Sequence, residues 1–176
     1  MKASDLLLVN HKGQVVGGGH PQRQRYNAAA FVIHSAIHAS RPDVDSAVHV
    51  HSPAGKAFST LGRALPFYTQ DSAVFWDDVG LYNDHGGVVL DGQEAEEIVE
   101  SLGKKKAVVL QNHGILTVGG SIEAAVAWFY LYDWCKGIAL TRRLEKECAC
   151  ALRAEAAAAM SGAKPVSISP EVAAFT

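Results

Sequence analysis

The chain has 176 residues, enough for one domain with a substantial core, and 16 basic against 18 acidic residues leave a formal charge of -2. Lysine and arginine are scattered rather than massed, which excludes an electrostatic footprint for nucleic acid and a polybasic membrane surface. No run reaches the ~18 apolar residues of a membrane span, and the opening MKASDLLLVN is too briefly apolar for a secretory leader. Cys135, Cys148 and Cys150 are odd in number and share one late segment, so they suit a reducing compartment better than a disulfide framework. A cytoplasmic protein without membrane insertion is the expectation.

In chain order, Leu6 to Val9 and Gln14 to Val16 read as short strands around an Asn10–Gly13 turn. Gly17 to Gln24 reads as a polar connection, because Gly17-Gly18-Gly19 lacks the helix signal of a phosphate loop. Asn27 caps a predicted helix through Phe31, His34, Ile37 and His38 that stops before Arg41-Pro42. His34 and His38 share a face, with packing or hydrogen bonding as the expected role. A strand is predicted over 46–51, and Pro53 then opens a helix running from Ala54 to Leu61 and closing at Gly62. Asp71 to Trp76 is a mixed, aromatic-rich stretch. Gly87 to Leu90 reads as a strand, Asp91 as the cap of helix 92–102 with acids in its first turn, and Gly103 as its stop. Strands follow at Lys106 to Leu110 and Ile115 to Val118, and Ser121 opens a helix that can reach Met160. The first half of that helix is apolar around much of its circumference, which implies burial in the core or against another subunit. At nearly forty residues it would extend ~60 Å. The tail after Gly162, with Pro165 and Pro170, reads as an extended arm. The expected division is therefore a domain over 1–160 and an arm over 161–176. Strands interspersed with helices define an α/β class, and periodicity leaves parallel and antiparallel pairing open.

The chemistry concentrates in Ala47-Val48-His49-Val50-His51-Ser52 and Gln111-Asn112-His113-Gly114. Residues two apart in a strand leave the same face, so His49 and His51 can present two imidazoles side by side. His113, delivered by a tight Asn-His-Gly turn after another apolar strand, can complete a three-histidine set with coordination positions left for substrate. An isolated His-x-His reads equally well as ordinary core or loop histidines. The third histidine tips the reading toward a divalent metal site.

Several longer runs carry a resemblance. Asn27 through Val44, His49-Val50-His51-Ser52-Pro53-Ala54-Gly55, Gln70-Asp71-Ser72, Gly86 through Leu90 and Asn112 through Gly119 resemble the class II aldolase/adducin head superfamily. The likeness extends from about Ala3 to about Leu152 and lies nearer the adducin-like members than the sugar-phosphate aldolases. It implies a three-layer α/β/α domain around a mainly antiparallel sheet. It also implies that His49, His51 and His113 hold a divalent ion, usually Zn2+ and otherwise one such as Mn2+, near a subunit boundary of a tetramer. In fuculose-phosphate-type members a glutamate nineteen residues before the first metal histidine moves the proton, and the matching residue here is Ala30. Asp71 is then the carboxylate, by motif, expected to act as the catalytic group, with a metal-bound water as the alternative, since Glu94 and Glu97 fall on an expected solvated helix face. His34 is expected to orient a ligand, and Asn112 to stiffen the turn presenting His113. Members normally begin with several dozen residues that include an anion-binding Gly-Asn-small-Ser turn. The sequence here starts downstream of that turn, so the anion pocket is expected to be lacking.

Two function classes follow. One is a metal-dependent lyase or decarboxylase acting on a small hydroxy-carbonyl substrate, with an enolate stabilised as charge develops. The other is a non-catalytic, adducin-head-like oligomerisation or interaction module, which the tyrosine- and tryptophan-rich stretch from Trp128 to Trp134 also suits. A homo-oligomer is expected under both.

Overall fold

A computed structural model describes residues 2–84 and 92–160. The predicted strand at Gly87 to Leu90, the Asp91 cap and the arm over 161–176 lie outside the described residues. Two compact units partition the chain, Met1–Gly137 and a second beginning at Ile138.

The first unit is built on β1 (Leu7–Val9), β2 (Val15–Gly18), α1 (Ala28–Ser40), β3 (Ser46–Val50), α2 (Pro53–Ser59), β4 (Val79–Tyr82), α3 (Gly92–Leu102), β5 (Ala107–Leu110), β6 (Gly114–Gly119) and the start of α4 (Ile122–Met160). β1 and β2 form an antiparallel hairpin. The main sheet has the order β3-β6-β5-β4, with β3–β6 and β6–β5 antiparallel and β5–β4 parallel. That is the mainly antiparallel sheet the resemblance implied.

β5 is buried along its whole length, so both faces of the sheet are covered. Alternation sorts its side chains. Val108 and Leu110 join Leu116, Val118, Ile33 and Ile37 of α1, and Ile98 and Leu102 of α3, in one core. Ala107 and Val109 join Ile115, Phe75 and Tyr132 in the other, where Trp128 and Phe129 of α4 also pack. The layers are thus α1/α3, sheet, and the α2/α4 side.

Local chemistry explains most boundaries. The Asn27 carboxamide accepts from the backbone N–H groups of Ala29 and Ala30 and caps α1. At the other end, the Arg41 guanidinium forms a bidentate pair with Asp43 at 2.8 and 2.7 Å and donates to the Gly103 carbonyl at 2.7 Å, tying α1 to the α3–β5 turn. The predicted strand 46–51 closes one residue early, because Ser52 already caps α2 and frees His51 from the ladder. α2 ends at Ser59 rather than Leu61; Gly62 enters the left-handed region at φ 54° and turns the chain away. β4 was not anticipated from sequence. Asp71 to Phe75 is a 3-10 turn.

Ser121 opens α4 by accepting from Ala124 N–H through its hydroxyl. The first half of α4 divides sharply. Ala125, Tyr132, Cys135 and Lys136 are buried, whereas Ile122, Tyr130 and Trp134 are each about 70% exposed. In the second unit, Arg143 and Glu147 form an i,i+4 pair at 2.8 Å. Among the described residues no helix is long and apolar enough to cross a membrane.

Candidate metal centre

The ends of β3 and β6 build the site. β3 pairs with β6 so that His49 lies opposite Leu116, whose side chain belongs to the α1/α3 core, and His49 therefore faces that layer. His51 follows on the same face, just past the ladder. His113 arrives from the β5–β6 turn, where Asn112 holds φ 59°. This left-handed conformation is open to asparagine at small cost and swings the next residue back over the sheet end. Gly114 then lets the strands close. A Cβ there would stand 2.7 Å from the Val50 carbonyl oxygen and 3.0 Å from His51 Cδ2, so only glycine fits between β6 and the His51 ring.

The three rings stand edge to face, with centroids 4.6 to 4.9 Å apart, and one nitrogen from each lies within 4.8 Å of the others. His49 Nδ1 donates to the Ile115 carbonyl at 3.0 Å, which fixes the tautomer and leaves Nε2 with its lone pair. His51 Nε2 sits 3.1 Å from His49 Nε2. Two donors ~2.0–2.1 Å from one tetrahedral zinc would be separated by ~3.3 Å, so this pair fits a shared ion. Burial, opposed by the Ile115 hydrogen bond and assisted by His51 and His34, pushes the His49 pKa down to about 4. The ring is consequently neutral at physiological pH, as a metal ligand must be. His51 is exposed, so the cluster opens to solvent on one side.

His34 is half-buried on α1, within electrostatic reach of His49, and burial followed by His38 lowers its pKa. His38 Nδ1 instead donates to the Val44 carbonyl at 3.0 Å, a structural bond. Ala30 lies one turn before His34 and half-buried, with a methyl group where the fuculose-phosphate type has its carboxylate. Asp71 is exposed at the start of its 3-10 turn. Its charge, after burial, raises the Cys135 thiol, and its carboxylate is not among the converging atoms. Glu94 and Glu97 are half-buried rather than solvated, and Glu97 accepts from the Tyr82 hydroxyl at 3.3 Å. Sequence reasoning passed over Ser52 and Asp133, which hydrogen-bond each other directly behind His51. They are 81 positions apart, and no local pattern announces the contact.

Fold and site define an α/β/α domain with a three-histidine cluster at one sheet end. The family model "Class II Aldolase and Adducin N-terminal domain" matches residues 1–140, and the chain belongs to that family. It is 41% identical over 133 residues to the decarboxylase NovR of Streptomyces niveus, a match covering 75% of this chain and 48% of that protein. To alpha-adducin of Mus musculus it is 38% identical over 132 residues, covering 74% of this chain and 17% of the other. A solved L-fuculose 1-phosphate aldolase from Glaciozyma antarctica PI12 superposes with a TM-score of 0.74 at 41% identity, covering 99% of this chain and 60% of that one. The chain thus spans about half the length, or less, of these curated relatives.

Proposed function

We propose that this chain is the metal-binding domain of a divalent-metal-dependent lyase that cleaves or decarboxylates a small hydroxy-carbonyl substrate. The convergence of His49, His51 and His113 carries this reading. The donor set is all imidazole, one ligand has its tautomer set by a carbonyl, and the cluster is open on one side. These features suit Zn2+, or another ion such as Mn2+, with room for substrate. Such an ion, when bound, supplies Lewis-acid stabilisation for negative charge developing beside a carbonyl. The chain's own residues do the rest. The Ile115 carbonyl holds His49 in register, and Asn112 and Gly114 hold His113 over the sheet end. The Asp71 carboxylate is the group we assign to proton movement, in place of the side chain Ala30 lacks. The decarboxylase and aldolase names among the relatives support the reaction class.

Elemental analysis after zinc reconstitution tests the site, with one ion per chain expected. Absence of stoichiometric uptake would overturn the assignment. Parallel assays for carbon dioxide release from hydroxy and oxo acids and for aldol cleavage then separate the two reactions. A second reading, an adducin-like assembly module, is favoured by the exposed Ile122, Tyr130 and Trp134 on α4. Both readings accommodate a homo-oligomer, with a tetramer proposed by family resemblance.

A further inference from the structure

We propose that Asp133 on α4 is a positioning residue for the three-histidine centre: it pins Ser52 and thereby fixes the strand end that carries His51. The inference rests on the metal-centre reading of His49, His51 and His113. Backbone alternation sets up the geometry. His49 and His51 leave the sheet toward the α1/α3 layer, and Ser52, still extended at φ -61° and ψ 151°, leaves it toward α4. A hold on Ser52 from one layer therefore fixes the histidine that looks into the other.

Both capacities of the Ser52 hydroxyl are used. It donates to Asp133 Oδ1, a charge-assisted bond, and it accepts from the Gly55 N–H at 3.1 Å in the first turn of α2. Three elements meet at this one oxygen: the end of β3, α2 and α4. The approach is close enough to demand glycine at position 55. A Cβ there would lie 2.6 Å from Ser52 Oγ, 3.2 Å from Asp133 Oδ1 and 3.3 Å from Ile115 Cδ1. Ile115 is the residue whose carbonyl orients His49. The Asp133–Ser52 bond, from α4, thus holds the residue next to His51, while the Ile115 carbonyl, from β6, holds the His49 ring. A cap on α2 needs only the Ser52 oxygen as acceptor; the donation to Asp133 adds the restraint across layers.

The test uses the full chain and four variants: Asp133→Ala, Asp133→Asn, Ser52→Ala and the double Ser52→Ala/Asp133→Ala. Zinc affinity is measured by competition with a chromophoric chelator, and the His51 ring is followed by its nitrogen NMR signals in metal-free protein. Loss of outer-shell partners weakens metal binding ~10–100-fold. We expect Asp133→Ala and Ser52→Ala each to weaken zinc by about tenfold and to shift the His51 ring signals. The double variant should be no weaker than either single one, as for residues acting as a unit. Asp133→Asn, whose Oδ1 still accepts, should restore the affinity to within about threefold. In a wild type that binds zinc, unchanged affinity in both alanine variants overturns the proposal, and so does failure of Asp133→Asn to restore it. A wild type that binds no zinc overturns the metal reading alone. The metal-free ring signals then decide the positioning: a shift in both alanine variants supports it, and no shift overturns it. Should Asp133→Ala fail to fold, Ser52→Ala and Asp133→Asn still separate the two outcomes.

Discussion

At the scale of single residues, the cluster can be taken apart one ligand at a time. His51 is exposed and packs mainly against the other rings, so His51→Ala should leave the cooperative unfolding transition nearly in place. It should nevertheless abolish stoichiometric zinc uptake. One retained zinc per chain in that variant, by elemental analysis, would count against the assignment. Lys136 poses a different residue-scale problem. It is fully buried, its Nζ has no hydrogen-bond partner among the described residues, and it lies 4.0 Å from the Tyr132 ring centroid and 5.5 Å from that of Phe58. Burial lowers its pKa well below the ordinary 10.5, with the Asp133 charge opposing. The folded state therefore binds fewer protons than the unfolded chain between that lowered value and 10.5, and stability should rise with pH across this window. Lys136→Met should remove most of that slope and raise stability at neutral pH by ~1–3 kcal/mol, the cost of a buried polar group left without a hydrogen-bond partner. Denaturant melts of both proteins between pH 7 and 10 measure this, and identical slopes would refute it.

At the scale of elements, the β5–β6 connection decides the geometry. Gly114→Ala would put a methyl group 2.7 Å from the Val50 carbonyl oxygen, so β3 and β6 must part or twist at the point where His51 and His113 meet. Overpacking of this kind costs ~1–3 kcal/mol, and zinc affinity should fall with it. A thermal melt and chelator competition would show both losses. Asn112→Gly should be tolerated in both measurements, since φ 59° suits glycine as well.

These elements also show what the sequence could reveal. His-x-His in a β-branched run and an Asn-His-Gly turn are local patterns, so the three histidines were legible before any pairing was known. The α1 cap, the Ser121 start of α4 and the strands flanking His113 were legible for the same reason. β4 was not. Val79-Gly80-Leu81-Tyr82 is short, contains a glycine, and gains its strand character from parallel pairing with β5. The burial of Lys136 and the Ser52–Asp133 bond were hidden because both depend on layers brought together by the fold, while lysine and aspartate on a helix read as solvated.

For the whole molecule, the exposed face of α4 and the absent carboxylate bear on different levels of function. Ile122, Tyr130 and Trp134 present large apolar groups to water, alongside the exposed Phe67 and Trp76. Surfaces of this kind fit self-association, and sedimentation at micromolar concentration should detect a species larger than the monomer; a single monomeric boundary would remove the idea. Under the proposed lyase reading, the proton step turns on Ala30. A methyl group cannot transfer a proton, and removing a positioned acid/base group commonly costs ~10²–10⁴ in rate. Aldol cleavage of fuculose-phosphate or ribulose-phosphate type substrates by the zinc- or manganese-loaded chain should therefore be weak. Decarboxylation is less dependent on a base, because the carboxylate is already ionised and the departing carbon dioxide leaves its electron pair behind, whereas aldol cleavage requires a hydroxyl proton to be removed as the carbon–carbon bond breaks. Two measurements decide between them. If Ala30 is the cause, Ala30→Glu should raise aldol cleavage while leaving zinc affinity within a few-fold, since position 30 lies on α1 outside the converging histidines. Wild-type cleavage with kcat/KM at or above ~10⁴ M⁻¹s⁻¹, within the ordinary enzyme range, would show that Ala30 is not limiting and that Asp71, the group assigned to proton movement, replaces the missing carboxylate in full.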